Sequence, residues 1–158
     1  MKGTPERTLI LVKPDGVQRH LVGRIINRFE EKGLRIVALR LMRVTRELAE
    51  THYGAHKAKP FYPSLMKFVT SGPTVAMVLE GLKAIEICRK MMGATFGSKA
   101  EPGTIRGDFG ISNSFNLVHG SDSPEAARRE IELFFKTEDL HAYTFGDEDW
   151  IYDPEGES

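Results

Sequence analysis

His119 and Glu130 form the pair of residues with the clearest chemical potential in this sequence. Glu130 lies on a stretch that reads as a helix, and the residues three and four positions from it are all apolar: Ala126, Ala127, Leu133 and Phe134. A carboxylate on an apolar stripe is expensive to bury unless a donor satisfies it. The donor is either an arginine or His119, which lies at the end of the preceding strand. A third alternative is that Glu130 lies at the edge of the stripe and reaches water. A carboxylate on one ring nitrogen would fix the tautomer of His119 and leave the other nitrogen as a neutral nucleophile.

Three basic residues lie in segments that could converge on an anion. Lys13 ends the first predicted strand, Arg89 lies on a predicted helix, and Arg106 lies in a glycine-rich segment. Phosphoryl transfer needs cationic groups around the developing charge, and the planar guanidinium fork suits that role. Each of these residues alone is more typical of an exposed surface charge, and their spacing does not establish that they meet.

The composition excludes several classes of protein. The chain has 158 residues, and its 22 Lys plus Arg balance 22 Asp plus Glu, which argues against a nucleic-acid binder that depends on counterion release. The one cysteine, Cys88, has no partner for an intrachain disulfide, which predicts a reducing, cytoplasmic location. No apolar stretch is long enough to span a bilayer, so no membrane partner is expected. We predict one domain over residues 1–158, with an acidic tail frayed over 153–158.

The absence of familiar motifs also restricts the chemistry. The sequence has neither the G-x-x-x-x-G-K-[ST] loop nor the G-x-G-x-x-G turn, so nucleotides would have to bind in another way. It lacks H-E-x-x-H and paired cysteines, and no metal site made by the protein alone is predicted. His119 is not preceded by arginine, so the Arg-His-Gly signature of histidine phosphatases is missing.

The elements that must position these residues follow from apolar runs and helical spacing. Continuous or alternating apolar runs predict strands at 8–12, 34–44, 74–79 and 115–119. The run at 34–44 is apolar on much of both faces, which predicts a central place in the sheet. Helical spacing predicts helices at 21–32, ended by Gly33, and at 82–92, with a final helix capped by Ser123.

Two stretches have weaker patterns. Residues 46–71 mix helical and loop signals, and 93–115 form the longest segment without a periodic pattern. A loop of that length in a compact domain is functional or disordered. The order of elements indicates an α+β domain close to a doubled β-α-β, with a mixed or antiparallel four-stranded sheet and helices on one face.

Four ordered segments make the sequence recognisable between residues 6 and 152. They are Val12-Lys13-Pro14-Asp15-Gly16-Val17, Ser71-Gly72-Pro73, Pro102-Gly103-Thr104-Ile105-Arg106-Gly107-Asp108-Phe109, and Asn116-x-x-His119-Gly120-Ser121-Asp122-Ser123. The chain resembles the nucleoside diphosphate kinases over this range. It departs from many of them at Phe96-Gly97, where they have Asn-Pro, and at Ser114-Phe115, where they have Gly-Arg.

The resemblance implies a fold, a reaction and partners. The fold is ferredoxin-like, an α+β single domain with a four-stranded antiparallel sheet. The reaction is ping-pong transfer of the γ-phosphoryl group from a nucleoside triphosphate to a nucleoside diphosphate, with broad base specificity. Mg²⁺ is expected as the cofactor, carried by the nucleotide phosphates, and the chain is expected to form a homo-oligomer, either a hexamer or a tetramer.

The resemblance also implies roles for individual residues. His119 is the expected phosphorylated nucleophile, Glu130 the acid that orients its ring, and Ser121 the support of that acid. The residues expected to bind phosphates or stabilise the transition state are Lys13, Tyr53, Arg89, Thr95, Arg106 and His56. Asn116 is expected to contact the ribose together with Lys13, and Phe61 to stack on the base. The other histidines, His20, His52 and His141, carry no such implication, and we interpret them as structural or solvated.

Two other classes of protein could have this fold. A non-catalytic nucleotide or RNA module would show paired aromatic residues on its strands and a basic face, whereas these strands are aliphatic and the charge is balanced. A pseudo-enzyme would lack the histidine or the glutamate, and both His119 and Glu130 are present.

Overall fold

Short apolar runs form the four strands of one sheet, as their residue types predict. The computed structural model describes residues 3–153 and residue 155, and its strands are β1 (Glu6–Val12), β2 (Arg35–Arg43), β3 (Pro73–Gly81) and β4 (Val118–Gly120). The strands are arranged in the order β2-β3-β1-β4, and each neighbouring pair is antiparallel. The sheet confirms the predicted ferredoxin-like α+β fold with a four-stranded antiparallel sheet.

Helices fill the connections between the strands. They are α1 (Pro14–Gln18), α2 (Val22–Glu31), α3 (Arg46–His52), α4 (Tyr62–Val69), α5 (Ala84–Met92), α6 (Ile105–Phe109), α7 (Pro124–Phe134) and α8 (Glu148–Ile151). The predicted helix ends are confirmed at two places. Gly33 follows α2 with a φ of 89°, a conformation that favours glycine, and the Ser123 side chain accepts a hydrogen bond from the Ala126 amide.

The helices cover both faces of the sheet, so the prediction of helices on one face was wrong. On one face, Ile25 of α2 and Cys88 of α5 pack with Val12 and Met77. On the other, helices α3, α4 and α7 pack against Leu11 and its neighbours. The physical reason is that β1 and β3 are buried on both sides, and a strand of that kind needs a layer of helices on each face.

The prediction that 34–44 is a central strand was also wrong, because β2 lies at an edge of the sheet. Its apolar residues are only partly covered by the rest of the chain: Leu39 is 49% exposed and Leu41 is 65% exposed. An apolar pattern shows that a surface is suited to burial, but it does not identify what buries it. An edge strand with exposed leucines therefore produced the pattern of a central one.

The long segment 93–115 contains more order than its sequence indicates. It includes the short helix α6, whose cap is Thr104, with its hydroxyl accepting from the Gly107 amide. Strand β4 is shorter than the predicted strand at 115–119 and begins later, because residues 116–118 form a tight turn.

Among the described residues, no helix combines the length and the apolarity that a membrane span requires. The tail predicted to fray over 153–158 lies outside the described residues, apart from Asp153 and Glu155.

Candidate active site

His119 and Glu130 are in direct contact on one face of the sheet. Strand β4 pairs with β1 so that His119 lies opposite Leu11, and α7 then brings Glu130 back over the same face. The His119 Nε2 atom lies 2.9 Å from the Glu130 Oε2 atom. The Ser121 hydroxyl donates to the same oxygen at 2.8 Å, and it accepts in turn from the Leu9 amide at 3.2 Å.

This hydrogen bonding decides which nitrogen of His119 can react. Burial of Glu130 raises the pKa of its carboxyl group, but the contacts with His119 and Ser121 outweigh burial and hold that pKa below its usual range. An ionised carboxylate only accepts hydrogen bonds, so Nε2 of a neutral His119 must carry the proton. The lone pair is then on Nδ1, and the side chain is 21% exposed, which leaves it open to a substrate.

A strained turn sets the position of His119. Leu117 has a φ of 69°, unusual for a residue with a side chain, and the Val118 amide donates to the Asn116 carbonyl at 2.7 Å across it. The Leu117 amide donates to Asp15 Oδ2 at 3.0 Å, and its carbonyl accepts from the Lys13 amide at 2.8 Å. These two bonds to the β1–α1 junction hold the turn in place two residues before the histidine.

The basic residue Lys13 is buried beside this turn. Its side chain follows Leu9 and Leu11 on the same face of β1, and its ammonium donates to Asn116 Oδ1 at 2.7 Å. Burial, and then the charge of Arg106, lower the pKa of Lys13 to about 8, while Asp15 has the opposite effect. A buried ammonium of this kind would gain most from the arrival of an anion.

Arg106 is fixed by three backbone carbonyls. Its Nε, Nη1 and Nη2 atoms donate to the carbonyls of Asn116, Gly93 and Val118 at 3.0, 2.9 and 2.7 Å. A guanidinium has five N–H donors, so two remain for a ligand. Burial and the charge of Arg89 lower the pKa of Arg106 to about 10, and Arg89 is itself exposed and makes a long 3.5 Å contact to the Gly120 carbonyl.

The remaining predicted site residues surround this centre. The Tyr53 ring lies 6.3 Å from the His119 ring, and burial, with the charge of Glu130, raises the pKa of its hydroxyl. The Thr95 carbonyl accepts from Asn116 Nδ2 at 2.9 Å. Phe61 is 50% exposed, and its ring lies 5.6 Å from that of His56. Tyr53 thus lies beside His119, Thr95 beside Asn116, and Phe61 beside His56.

Sequence reasoning missed two residues of this region. Asp15 holds the turn at Leu117, and no local pattern in the sequence indicates this contact between distant residues. His52, interpreted as structural or solvated, is mostly buried, and its ring lies 4.7 Å from that of His119 and 4.4 Å from that of Tyr53. Burial, and then the charge of His119, lower the pKa of His52 to about 3. Nothing in a single sequence separates such a histidine from a surface one.

Comparison with known proteins identifies relatives over nearly the whole chain. Residues 6–140 match the family described as "Nucleoside diphosphate kinase". The nucleoside diphosphate kinase of Carboxydothermus hydrogenoformans is 61% identical over 148 residues, which cover 94% of this chain and 99% of that protein. The solved structure of the halophilic nucleoside diphosphate kinase of Halobacterium salinarum in complex with CDP superposes with a TM-score of 0.93 at 48% identity, over 95% of this chain and 100% of that one. A nucleoside diphosphate kinase family protein from Babesia bovis superposes with a TM-score of 0.90 at 46% identity, over 93% and 99%.

Proposed function

The chain belongs to the nucleoside diphosphate kinase family, and we propose on that premise how the residues around His119 divide the work of phosphoryl transfer. The activity that follows from the family is transfer of a phosphoryl group from a nucleoside triphosphate to a nucleoside diphosphate. The protein is thus a phosphotransferase. The family is one of nucleotide kinases, which generally use a divalent metal.

His119 is the residue that carries the phosphoryl group between the two nucleotides. Its Nδ1 lone pair attacks the γ-phosphorus, the bond from that phosphorus to the β,γ-bridging oxygen breaks, and the nucleoside diphosphate leaves with the bridging oxygen. A β-phosphate oxygen of a second nucleoside diphosphate then attacks the phosphohistidine and restores the free ring. The supporting observation is the Nε2–Glu130 contact of 2.9 Å, because it leaves Nδ1 without a proton.

Glu130 and the cations stabilise the charge that moves during the reaction. The ring becomes positive as Nδ1 forms its bond to phosphorus, and the adjacent carboxylate of Glu130, held by Ser121, stabilises that charge. Lys13, Arg89 and the two remaining N–H groups of Arg106 bind the negative phosphates. Tyr53, Thr95 and His56 complete the phosphate contacts.

Phe61 and Asn116 bind the nucleoside part of the substrate. Phe61 is half exposed, which suits it to stack on a base, and stacking of this kind contributes about 1–3 kcal/mol without regard to base identity. Asn116 and Lys13 bind the ribose hydroxyls, and their hydrogen bond to one another supports this shared role. Broad base specificity follows, because the base is bound by stacking and the ribose by hydrogen bonds.

Mg²⁺ is the divalent metal that we propose, bound through the nucleotide phosphates. The donor set of the site fits this arrangement, because Lys13, Arg89 and Arg106 are cations, which bind phosphate oxygens and do not ligate a metal ion. When bound, Mg²⁺ supplies charge neutralisation on the phosphates.

A homo-oligomer, hexamer or tetramer, is supported by the edge position of β2 and by the exposed side chains of Leu39 and Leu41. We also propose a cytoplasmic location, supported by the single, buried Cys88. The domain is proposed to extend over residues 1–158, and no nucleic-acid or membrane partner is proposed.

The experiment that tests the function is labelling with Mg-ATP that carries radioactive phosphorus at the γ-position. We expect an acid-labile, base-stable label on the protein, which unlabelled GDP discharges as labelled GTP. The variant His119→Gln should take up no label, whereas His141→Ala, outside the site, should behave as the unchanged protein. Label that persists in a folded His119→Gln variant would contradict the assignment of the nucleophile, and no label in the unchanged protein would favour a pseudo-enzyme.

A further inference from the structure

The ring of His52 is buried against His119 with neither of its nitrogen atoms satisfied. Nδ1 and Nε2 of His52 are both shielded from solvent, and neither has a hydrogen-bond partner among the described residues. A neutral imidazole carries one N–H donor and one lone pair, and buried groups of either kind are rarely left without a partner. The phosphotransfer steps above do not use this side chain, so its orphaned nitrogens call for a different explanation.

His52 belongs to a compact set of potential metal ligands. One ligand atom from each of His52, His119 and Glu130 can be chosen so that all three atoms lie within 4.8 Å of one another. Two imidazoles and a carboxylate form a ligand set that Zn²⁺ uses in proteins, with a further position left for water. A cation at their centre would also occupy the lone pair of His52.

We propose that His52, His119 and Glu130 bind Zn²⁺, or a similar borderline transition-metal ion, in the nucleotide-free protein, and that this ion prevents phosphorylation of His119. This site is separate from the Mg²⁺ that accompanies the nucleotide, because its two nitrogen ligands suit transition metals, while Mg²⁺ prefers oxygen. Its metal affinity stands apart from the proposed reaction, although the inhibitory effect rests on that reaction.

The block follows from the single lone pair of a neutral imidazole. If the ion binds His119 at Nδ1, it occupies the lone pair that would attack phosphorus. If it binds at Nε2, the proton on that nitrogen must move to Nδ1, and Nδ1 loses its lone pair to the new N–H bond. In both cases the ring stays neutral, no proton is lost, and no nucleophile faces the substrate.

Solvent access and the neighbouring charges determine how strongly the site binds Zn²⁺. The His119 side chain is 21% exposed, so an ion can reach the cluster from solvent. The carboxylate of Glu130 attracts the ion, while the positive charges of Lys13 and Arg129, which both act on His52, oppose it. Nucleotide phosphates would reduce that opposition, but they also compete for the ion and for the space.

The metal affinity is measured by calorimetric titration of Zn²⁺ into the untagged, nucleotide-free protein, with Co²⁺ absorption as a second signal. We expect one Zn²⁺ per chain and visible Co²⁺ bands typical of four-coordination. The variant His52→Phe keeps a ring against Tyr53 and Phe134 but has no nitrogen ligand, and it should bind Zn²⁺ at least about tenfold more weakly. His141→Ala, which removes an exposed histidine, should bind as the unchanged protein does.

Chemical modification locates the ion without relying on kinase activity. Diethyl pyrocarbonate reacts with a free imidazole lone pair, and peptide mass spectrometry reports its rate at each histidine. Equimolar Zn²⁺ should slow modification of His119 at least about tenfold in the unchanged protein and leave it unaltered in His52→Phe, with exposed His141 as the internal control.

Absence of Zn²⁺ binding by the unchanged protein, or equal protection of His119 in folded His52→Phe, would overturn the metal site. Protection of His119 in a protein that takes up no label from Mg-ATP would instead leave the metal site standing and refute the proposed nucleophile.

Discussion

Replacement of Lys13 by methionine should make the nucleotide-free protein more stable at neutral pH while it weakens phosphoryl transfer. Lys13 is buried, and burial with the charge of Arg106 lowers its pKa from 10.5 to about 8. At about 1.36 kcal/mol for each pKa unit, this shift corresponds to about 3 kcal/mol. The charged ammonium therefore lowers the free energy of unfolding at neutral pH by about that amount. Methionine fills a similar volume without the charge.

One opposing term reduces the gain. The Lys13 ammonium donates to Asn116 Oδ1 at 2.7 Å, and a buried acceptor left without a donor destabilises by about 1–3 kcal/mol. The net change at pH 7 is therefore a gain of about 0–2 kcal/mol. The pH dependence of the difference between the two proteins is the sharper quantity, because the Asn116 term does not titrate.

The sign follows from the protons bound by each state. Between pH 8 and pH 10.5 the unfolded chain keeps the Lys13 proton and the folded chain has lost it, so stability rises with pH in the unchanged protein. Across this window, we expect the free energy of unfolding of the unchanged protein to rise by about 3 kcal/mol relative to that of Lys13→Met. Below pH 7 we expect no change in this difference. Urea unfolding followed by circular dichroism at a series of pH values measures this difference, since other titrating groups are common to both proteins.

Parallel stability curves for the two proteins from pH 7 to 10.5 would refute the reasoning, because they would mean that Lys13 holds an ordinary ammonium in the folded state. A Lys13→Met protein that is less stable by several kcal/mol at pH 7 would also contradict it. Steady-state kinetics with Mg-ATP and a nucleoside diphosphate should show the loss of activity in the same preparation.

Three further substitutions test other parts of the structure. Glu130→Gln should lower the rate of His119 labelling at least about tenfold and destabilise by about 1–3 kcal/mol, since it removes the charge but keeps an oxygen; equal labelling rates in stopped time courses would contradict the pairing. Gly107→Ala should destabilise by about 3 kcal/mol or more in thermal unfolding, because its Cβ would clash with the Glu101 carbonyl oxygen, and a variant as stable as the unchanged protein would contradict the geometry of α6. Leu41→Glu should weaken self-association in analytical ultracentrifugation, since this residue is 65% exposed on the edge strand; an unaltered oligomer would place the interface elsewhere.

Much of the fold could be predicted because its signals are local. Strands β1 and β3 are continuous apolar runs, and the cap at Ser123 depends on neighbouring residues alone. The position of β2 could not be predicted, because the same leucines suit burial by a helix, by a strand or by another copy of the chain. Helix α6 lies in a segment whose glycines hide a single turn of helix from a periodicity argument.

The candidate site also contains some features that the local sequence predicts and others that it does not. Glu130 on an apolar stripe predicted a buried partner, and His119 is that partner. The carboxylate of Asp15, which accepts from the Leu117 amide, could not be predicted, because the contact joins residues far apart in sequence through a turn with positive φ. The burial of His52 depends on the ring of Phe134, which only the packing of α3 on α7 brings close.

The three carbonyl bonds of Arg106 have a consequence for variation among homologues. Arg106 fastens three pieces of backbone, and in the proposed reaction it also binds phosphate, so a change in one role would disturb the other. Even lysine, with a single ammonium in place of the fork, would release the chain at Gly93, Asn116 or Val118. Among the described residues, Arg89 makes one long hydrogen bond, to the Gly120 carbonyl, so it does not fasten several pieces of backbone. Among homologues, substitutions that change phosphate affinity should therefore occur at and around position 89, while position 106 should vary very little.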